Sequence, residues 1–483
     1  MLRAALVLAC ALVCAVPAGA QSIRITNRRD IDIPDYATFR LGPFYSTATF
    51  SQSVGARWTR GRGRGTDFLT GTSRGVILDD GWDVPLVSRL QLQNYLILSR
   101  NMDMDISVSA QYEYFPLDTQ RDQWVFGLAE EGISAFLSSE FRLSRNVEGQ
   151  IYWSPSYRTD FVDFRGNSDV LAGREFEYFR NEVGAELNWL LAENKTLTVD
   201  GSRVDLIPDE TEFADQEFVS HRIGTGYGVE VLPGVEVGGR LGYSETDYKL
   251  ESRQDNEITD ASLYVNFDVS EDRHLQLSRN ASVYGSVGYA RGETKSAGDA
   301  EGSSSEGVIW SAGIDWGEQG RLSRNMTHGL GYTRAFSGTF DSDLAIIDTW
   351  TYDWAWIVGL WDLGFASVYS DTDPQDRANG YTDWLNRFTA DYHLTRELAL
   401  QAYTSYRIRE NETTGDEDPL ADDFIDRTSD YEEWISQIGT SYQLTRQIDF
   451  STYFQHAERY QDADAFDFTR DTFQALMTYS HKF

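Results

Sequence analysis

The sequence of 483 residues has only two cysteines, Cys10 and Cys14, both near its amino terminus. They fall in a segment with a basic start at Arg3, an apolar run and the small residues Ala18-Gly19-Ala20. This pattern predicts a secretory signal peptide, residues 1–20, cleaved after Ala20. The mature chain then lacks cysteine, which excludes disulfides, thiol catalysis and thiolate metal sites. A lipoprotein signal ending at Cys10 is the alternative, but it leaves a very short apolar region before the modified residue.

Long apolar runs and catalytic signatures are also missing. After the signal peptide no stretch approaches the roughly eighteen apolar residues that a membrane helix requires, and the mean hydropathy is −0.44. The six histidines are scattered, and neither a Gly-x-Ser-x-Gly elbow nor a Walker loop is present. We therefore expect no membrane helix, no cofactor, no metal site and no enzyme, although a rim active site assembled from loops would leave no such signature.

Basic residues are outnumbered, with 42 Lys and Arg against 76 Asp and Glu and a net charge of −34. Nucleic acid is an implausible partner because binding to phosphates needs positive charge. The acidic excess is densest over residues 410–426. One interpretation is a loop that binds divalent cations bridging to lipopolysaccharide or an anionic polymer, and the other is a solvated loop, since no twelve-residue calcium loop is present. The candidate loop residues are Asp416, Glu417, Asp418, Asp422 and Asp423.

What the chain does contain is a repeated tetrad, Leu-Ser-Arg-Asn. It starts at Leu98, Leu143, Leu277 and Leu322, and Leu-Thr-Arg relatives start at Leu394 and Leu444. The tetrad holds no catalytic group, but its Ser, Thr and Asn side chains can bond the local backbone of a tight turn. A repeat of this kind indicates an architecture built from one recurring unit, here a short turn between two strands.

The segments beside these turns alternate apolar and polar residues, as over residues 102–114, 133–143, 183–189 and 261–268. Successive strand residues point to opposite faces, so each strand has one apolar and one polar face. Runs of about ten alternating residues suit a tilted membrane-spanning strand, whereas globular strands are nearer five or six. Strand length thus favours a membrane barrel over a soluble sandwich, propeller or solenoid.

The connections at the other strand ends are longer and polar, as over residues 294–306, 370–380 and 411–429. Short turns at one end and long loops at the other are the asymmetry of a transmembrane β-barrel, with turns in the periplasm and loops outside. We expect an all-β fold, a single antiparallel barrel of about twenty strands, in a range of about sixteen to twenty-two. It would cover residues 38–483, after a short periplasmic lead over residues 21–37. Such a barrel encloses an aqueous channel unless something plugs it.

Aromatic residues support this prediction at the strand ends and in the final strand. Tyr or Trp occurs where strands should meet the membrane interfaces, at Tyr112, Tyr114, Trp153, Trp189 and Tyr243. The alternative is that aromatic residues simply favour strands in general. The final strand places Phe473, Met477, Tyr479 and the terminal Phe483 on one face. Such a strand is similar to the signal that the barrel-assembly machinery reads in bacterial outer membranes.

The polar strand faces supply the candidates for solute selectivity. They are Arg142, Arg240, Arg407 and Arg409, beside Glu113, Glu140 and Glu236. Facing a lumen, these residues would form a transverse field that biases a pore for charged solutes, or equally a structural ladder of salt bridges. The basic tract over residues 60–65 could contact phosphate or carboxylate groups through bidentate guanidinium bonds, or be a surface loop without a ligand.

The turn motifs and the strands that follow them resemble the β-barrel porin 2 family of outer-membrane proteins. The matching pieces are Leu143 to Tyr157, Leu277 to Tyr289, Leu322 to Tyr332, Leu394 to Tyr406, Leu444 to Tyr453 and the early Leu41-Gly42-Pro43-Phe44. The resemblance covers most of the mature chain and implies a passive outer-membrane conduit or accessory for a secreted exopolysaccharide. It implies no catalytic residues.

Three functions follow from these observations. The first is a non-enzymatic pore through which polymer or small solutes diffuse, in contact with lipopolysaccharide and, for a polymer, with its export proteins. The second is a plugged barrel that acts through its acidic cation-binding loops. The third is an outer-membrane hydrolase that uses a Ser/His or Asp/His pair near the rim.

Overall fold

A computed structural model describes most of the chain. The described residues are 39–63, 65–67, 72–74, 81–99, 102–114, 116, 123–124, 133–162, 174–209, 211–250, 253–268, 280–295, 302–318, 326–337, 344–375, 380–411, 430–461 and 468–482. The predicted signal peptide and periplasmic lead lie outside these residues, as do Asp416, Glu417, Asp418, Asp422, Asp423 and Phe483. No helix in the described part of the chain is long and apolar enough to cross a membrane.

The described residues form long strands of 12 to 20 residues, which we number β1 to β20. They are β1 Phe44–Gly63, β2 Leu86–Ser99, β3 Met102–Tyr114, β4 Ile133–Ser144, β5 Val147–Val162, β6 Arg174–Ala192, β7 Lys195–Pro208, β8 Phe218–Leu232, β9 Val235–Tyr248, β10 Asn256–Asp268, β11 Asn280–Thr294, β12 Ser304–Glu318, β13 Met326–Ser337, β14 Ala345–Val358, β15 Trp361–Pro374, β16 Tyr381–His393, β17 Leu398–Asn411, β18 Tyr431–Gln443, β19 Ile448–Gln461 and β20 Phe468–Lys482. Shorter strands cover Phe39–Leu41, Gly65–Asp67, Thr72–Arg74, Gly81–Asp83 and Gln123–Trp124, and a 3-10 helix covers Thr211–Gln216.

The twenty long strands form one closed antiparallel wall. Each strand pairs with the strands before and after it in the chain, and the last strand, β20, pairs with the first, β1. This closing seam runs from the pair Thr49 and Lys482 to the pair Gly63 and Phe468. The expected barrel is therefore confirmed, and the strand count agrees with the prediction of about twenty.

The strand ends show the expected asymmetry. Two-residue turns join β4 to β5, β6 to β7, β8 to β9 and β14 to β15, and the turns after β16 and β18 have four residues. Gly234 and Gly359 adopt positive φ angles of 77° and 63° in two of them, a conformation that favours glycine. The turns predicted at the motifs of Arg145, Arg396 and Arg446 are present, and further turns lie at Glu193, Pro233 and Leu360. Motif residues 100–101, 277–279 and 322–325 lie outside the described part.

The repeated motif works through its hydroxyl. In the turn after β18 the Thr445 Oγ1 accepts hydrogen bonds from the backbone amides of Gln447 (3.2 Å) and Ile448 (3.0 Å). Thr395 accepts the same pair of bonds in the turn after β16, from Glu397 (3.1 Å) and Leu398 (3.0 Å). The hydroxyl oxygen of the motif thus accepts hydrogen bonds from backbone amides that have no strand partner in a tight turn.

Removal of this hydroxyl tests its role. We expect Thr445→Val to lower the free energy of unfolding by about 1 kcal/mol, because the Gln447 amide loses its acceptor and the Ile448 amide retains only a long bond of 3.4 Å to the Thr445 carbonyl oxygen. Urea unfolding in lipid vesicles, followed by tryptophan fluorescence, measures the change. Thr445→Ser retains the acceptor and serves as the control, so an equal loss in both variants would contradict this role.

The outer face of the wall is apolar and lies between two aromatic bands. Leu263 and Ile438 are 68% and 71% exposed, which places them against lipid in a membrane barrel. Exposed aromatics near the loop ends are Tyr289, Trp310, Trp350, Tyr369, Trp384 and Trp434. Those near the turns are Trp189, Tyr227, Trp361, Tyr442 and Tyr479. These bands have the position of aromatic girdles at the two membrane interfaces.

The aromatic positions expected from the sequence fit these bands with one exception. Tyr112, Tyr114 and Tyr243 lie towards the loop ends and Trp189 lies towards a turn. Trp153, however, lies midway along β5, where its Nε1 donates to Asn181 Oδ1 at 2.6 Å. Its aromatic ring therefore does not mark an interface.

Charged residues on the outer face lie on the loop side of the aromatic band. Lys295, just beyond β11, bridges Glu245 (2.7 Å) and Glu257 (2.8 Å) on the neighbouring strands β9 and β10. Hydrogen bonds to the two carboxylates raise the pKa of Lys295 above its ordinary value. This ionic zone marks the position where the wall leaves the apolar part of the membrane.

Candidate functional site

The inner face of the wall is the candidate functional site, and its side chains are small or polar. Along β5 to β12 it borders a cavity of about 770 Å³. The cavity is lined by Gly226, Ser262, Ser286 and Ser311, together with Asp200, Arg222 and Arg240. Such a surface holds water and hydrophilic solutes rather than lipid.

Glycines on this face allow neighbouring side chains to lie flat against the wall. Tyr264 on β10 pairs with Gly238 on β9, and a Cβ atom added to Gly238 would lie 2.5 Å from the tyrosine ring. The same arrangement recurs where Tyr152 covers Gly184, Tyr284 covers Gly313, Asp200 covers Gly224 and Asp260 covers Gly242. A larger residue at these glycines would push its neighbour into the lumen, so the glycines widen the channel.

The loop-side end of the inner face contains a buried ionic cluster. Asp383 on β16 accepts hydrogen bonds from Arg407 Nε at 2.9 Å and Nη2 at 2.5 Å. It also accepts bonds from Arg409, whose Nε lies 3.2 Å away and whose Nη2 lies closer still. Arg409 is only 2% exposed. One carboxylate thus holds two guanidinium groups that are largely removed from water.

Aromatic rings and a second ion pair complete this cluster. Arg459 on β19 bonds Glu433 on β18 at 2.8 Å. The guanidinium carbon of Arg459 lies 4.4 Å from the ring centroid of Tyr431, and that of Arg409 lies 4.7 Å from the ring of Tyr381. Both distances are within the range of cation–π contacts. The cluster joins β16 to β19 at the outer mouth of the barrel.

Two further segments fold inward at the same mouth. Phe213, in the 3-10 helix, is 2% exposed and packs against Tyr178, with Leu206 beside the pair. Leu344, just before β14, is fully buried and reaches Gly292 on β11. Tyr178, Leu206 and Gly292 occupy inward positions, so both segments narrow the loop-side mouth.

The middle of the lumen holds further ion pairs. Arg240 Nη2 bonds Asp200 at 3.1 Å across the intervening strand β8. Arg180 bonds Glu182 at 2.7 Å, and the hydroxyl of Tyr152 donates to the same carboxylate at 3.1 Å. Arg222 is exposed between these groups, and no ion pair to it is found among the described residues. Most of the central charge is therefore balanced within the wall.

The turn-side end of the inner face is acidic. Glu148 pairs with Arg142 at 3.3 Å, and Asp362 contacts His393 Nε2 at 2.9 Å. Within the described residues Glu236 accepts a neutral side-chain bond, from the Tyr264 hydroxyl at 2.7 Å, and forms no ion pair. Further carboxylates at inward positions near the turns have no ion pair in the described part of the chain: Glu230, Asp315, Asp353, Asp391 and Asp449.

The structure places the predicted selectivity residues at different depths. Arg407 and Arg409 lie at the loop end, Arg240 lies near the middle, and Arg142, Glu140 and Glu236 lie near the turns. The side chain of Glu113 lies outside the described part. Arg142, Arg240, Arg407 and Arg409 each bond a carboxylate of the wall. These residues are not brought together around one constriction.

The remaining sequence candidates lie elsewhere. Phe473, Met477 and Tyr479 share the outer face of β20, beside the closing seam. Arg60 on β1 pairs with Asp471 in the register and is exposed at the loop end. Sequence reasoning missed Asp383, Glu433, Tyr431 and Arg459, although each lies in the first or last few residues of a strand next to a loop.

Two observations bear on metal and enzymatic chemistry. No group of three or more His, Cys, Asp or Glu residues suited to a metal ion occurs within the residues that the structure describes. On the outer face His456 contacts Asp471 through Nδ1 (2.7 Å) and Glu458 through Nε2 (2.8 Å). Both ring nitrogens are therefore engaged by carboxylates, an arrangement that does not activate a hydroxyl nucleophile.

Comparisons with known proteins concern the fold. No protein-family model matches the chain, and no curated protein matches it. A mutant of the ferric enterobactin receptor PfeA from Pseudomonas aeruginosa is 10% identical, with a TM-score of 0.49, covering 90% of this chain and 80% of that chain. The apoprotein form of the FrpB iron transporter from Neisseria meningitidis is 7% identical, with a TM-score of 0.47, covering 89% and 81%.

A shorter protein is also similar. A loop-deletion mutant of OmpT, an outer membrane protein of Vibrio cholerae, is 9% identical, with a TM-score of 0.36, covering 90% of this chain and 99% of that chain. The closed pairing, the apolar outer face and the aromatic bands of the chain itself establish the architecture. It is a transmembrane β-barrel of the bacterial outer-membrane type, with a polar lumen.

Proposed function

We propose that the protein is a passive pore of the bacterial outer membrane and not an enzyme. The observation that carries this proposal is the closed twenty-strand wall whose inner face bears glycine, serine and charged side chains lying flat against the backbone. A wall of this size encloses a water-filled lumen, in which hydrophilic solutes diffuse along their concentration gradients. The resemblance to the β-barrel porin 2 family supports the same function.

The proposed cargo is a polysaccharide or a small hydrophilic solute. Residues 1–20 are proposed as a signal peptide and residues 21–37 as a periplasmic lead before the barrel of residues 38–483. The proposed contacts are lipopolysaccharide at the ionic outer zone, the assembly machinery at β20, and export proteins where the cargo is a polymer. Phe213 and Leu344 favour a second candidate, a barrel with a restricted mouth that acts mainly as a structural protein.

Conductance distinguishes these candidates. The refolded mature protein should produce stepwise ion currents in planar bilayers and should let sugars of increasing size enter proteoliposomes until a size limit is reached. A restricted barrel should give small currents that increase when Leu344→Gly removes the buried side chain. A folded barrel that carries no current at any voltage, with or without this substitution, would contradict the pore.

A further inference from the structure

The described charges of the inner face are sorted along the barrel axis. Near the loop ends arginine predominates. Apart from Arg180 and Arg222, which belong to the central group, seven arginines with described side chains occupy inward positions within six residues of a strand end. They are Arg57, Arg89, Arg387, Arg407, Arg409, Arg459 and Arg470. The inward carboxylates with described side chains in the same zone are fewer: Asp83, Asp260, Asp383 and Glu433. The outer mouth of the wall therefore carries a positive excess.

The turn-side zone has the opposite balance. The described inward arginine nearest a turn is Arg142, which is paired with Glu148, and Arg240, nearer the middle, is paired with Asp200. Further carboxylates surround this end of the lumen on almost every second strand: Glu140, Glu230, Glu236, Asp315, Asp353, Asp362, Asp391 and Asp449. The periplasmic mouth therefore carries a negative excess.

Two of these aspartates show that the negative charge is concentrated locally. Asp315 on β12 and Asp353 on β14 flank Gly329 on β13, and both direct an Oδ1 atom towards it. These atoms lie 2.9 and 2.3 Å from the position that a Cβ of Gly329 would take. Glycine thus lets two carboxylates approach each other on the lumen surface, where they repel each other and attract mobile cations.

We propose that the lumen is an axially polarised conduit, positive at the outer mouth and negative at the periplasmic mouth, and that it therefore passes ionic current unequally in the two directions. This inference rests on the proposed pore function. The arginine zone concentrates mobile anions and the carboxylate zone concentrates mobile cations, since each wall charge attracts its counter-ion. Glu230, Asp315, Asp353, Asp391 and Asp449 set the negative half.

The direction of the asymmetry follows from the order of the two zones. A positive potential on the turn side drives cations from the carboxylate zone, and anions from the arginine zone, towards the middle of the lumen. Ions then accumulate and the conductance rises. The reverse potential draws both ions away from the middle, so the lumen is depleted and the conductance falls. The larger current is therefore expected with the turn side positive.

Single-channel recording tests this inference. At about 0.1 M KCl, where the screening length is about 10 Å, the current with the turn side positive should exceed the reverse current by at least about 1.5-fold. At about 1 M KCl, where that length is about 3 Å, the two currents should become equal. The orientation is read from Arg446→Cys at a turn, labelled by a thiol-reactive polyethylene glycol that lowers the current only from the turn-side chamber.

Variants assign the effect to the carboxylate zone. The combined change Asp315→Asn, Asp353→Asn, Asp391→Asn and Asp449→Asn should clearly reduce the current ratio at low salt towards one. The control removes the same number of charges from the outer face, with Asp247→Asn, Asp373→Asn, Glu306→Gln and Glu410→Gln, and should retain the ratio. A conducting wild-type pore with equal currents at low salt would overturn this inference alone, and so would equal effects of the two variants. A folded barrel without conductance would overturn it together with the proposed function.

Discussion

Asp383→Asn is expected to destabilise the barrel by about 3–5 kcal/mol, the range found when one partner of a buried ion pair is removed. Asp383 is the carboxylate that receives both Arg407 and Arg409, and the side chains of these arginines are only 12% and 2% exposed. Asparagine has nearly the same shape but no charge, so the two guanidinium groups would remain in a low-dielectric environment without this counter-charge. Urea unfolding in vesicles and the heat-dependent gel mobility of the folded barrel measure the loss.

Two variants separate this effect from a general loss of charge. Asp373→Asn makes the same chemical change at an exposed position on the neighbouring strand β15 and should change stability by less than about 0.5 kcal/mol. Arg409→Met removes one guanidinium and leaves Asp383 paired with Arg407, so its effect should be smaller than that of Asp383→Asn. A stability of Asp383→Asn equal to that of Asp373→Asn would show that the cluster contributes nothing to the wall.

Gly55→Ala is expected to weaken the closing seam by about 1–3 kcal/mol, the range for overpacking a tight site. Gly55 lies on β1 opposite Leu476 of β20. A Cβ atom added there would lie 2.0 Å from the Ala475 carbonyl oxygen and 2.5 Å from Leu476 Cδ2. The leucine side chain can turn away, but the carbonyl belongs to the β20 backbone, so the two strands must separate locally. The heat-stable folded fraction and the urea midpoint should both decrease.

Gly226→Ala is the matched control for the seam. It is an inward-facing glycine in the middle of β8, and the nearest atom to its added Cβ, the Gly239 carbonyl oxygen, lies 3.8 Å away. This substitution should leave stability nearly unchanged or raise it slightly, because alanine loses less conformational entropy than glycine on folding. Equal losses in the two variants would indicate a general intolerance of the strands to alanine and not a tight seam.

The strands and turns of the wall could be predicted from the sequence because they depend on local patterns. The alternation of apolar and polar residues over 102–114 or 261–268 indicates which face each residue occupies. The motif hydroxyls at Thr395 and Thr445 indicate where the chain reverses. Pairing between consecutive strands then follows from the turns themselves. Strand number, antiparallel order and closure could be inferred without any knowledge of distant contacts.

The charge arrangement was not accessible in the same way. Asp383 and Arg409 are 26 residues apart, and their contact depends on the register between β16 and β17. Depth in the lumen depends on where each strand begins, which local alternation leaves uncertain by a few residues. The arginines were therefore identified as polar-face residues, but their partners and their concentration at one mouth required the structure.

The seam between β1 and β20 also has a kinetic consequence. Ser53 and Thr478 share a hydrogen bond of 2.7 Å although they are 425 residues apart in the chain. Closing a loop of that length costs about 5 kcal/mol of chain entropy, and the wall cannot close before β20 has been synthesised. Until then β1 has an unpaired backbone edge, which is prone to association with other chains. Folding is therefore expected to be post-translational and to depend on factors that shield this edge until the last strand arrives.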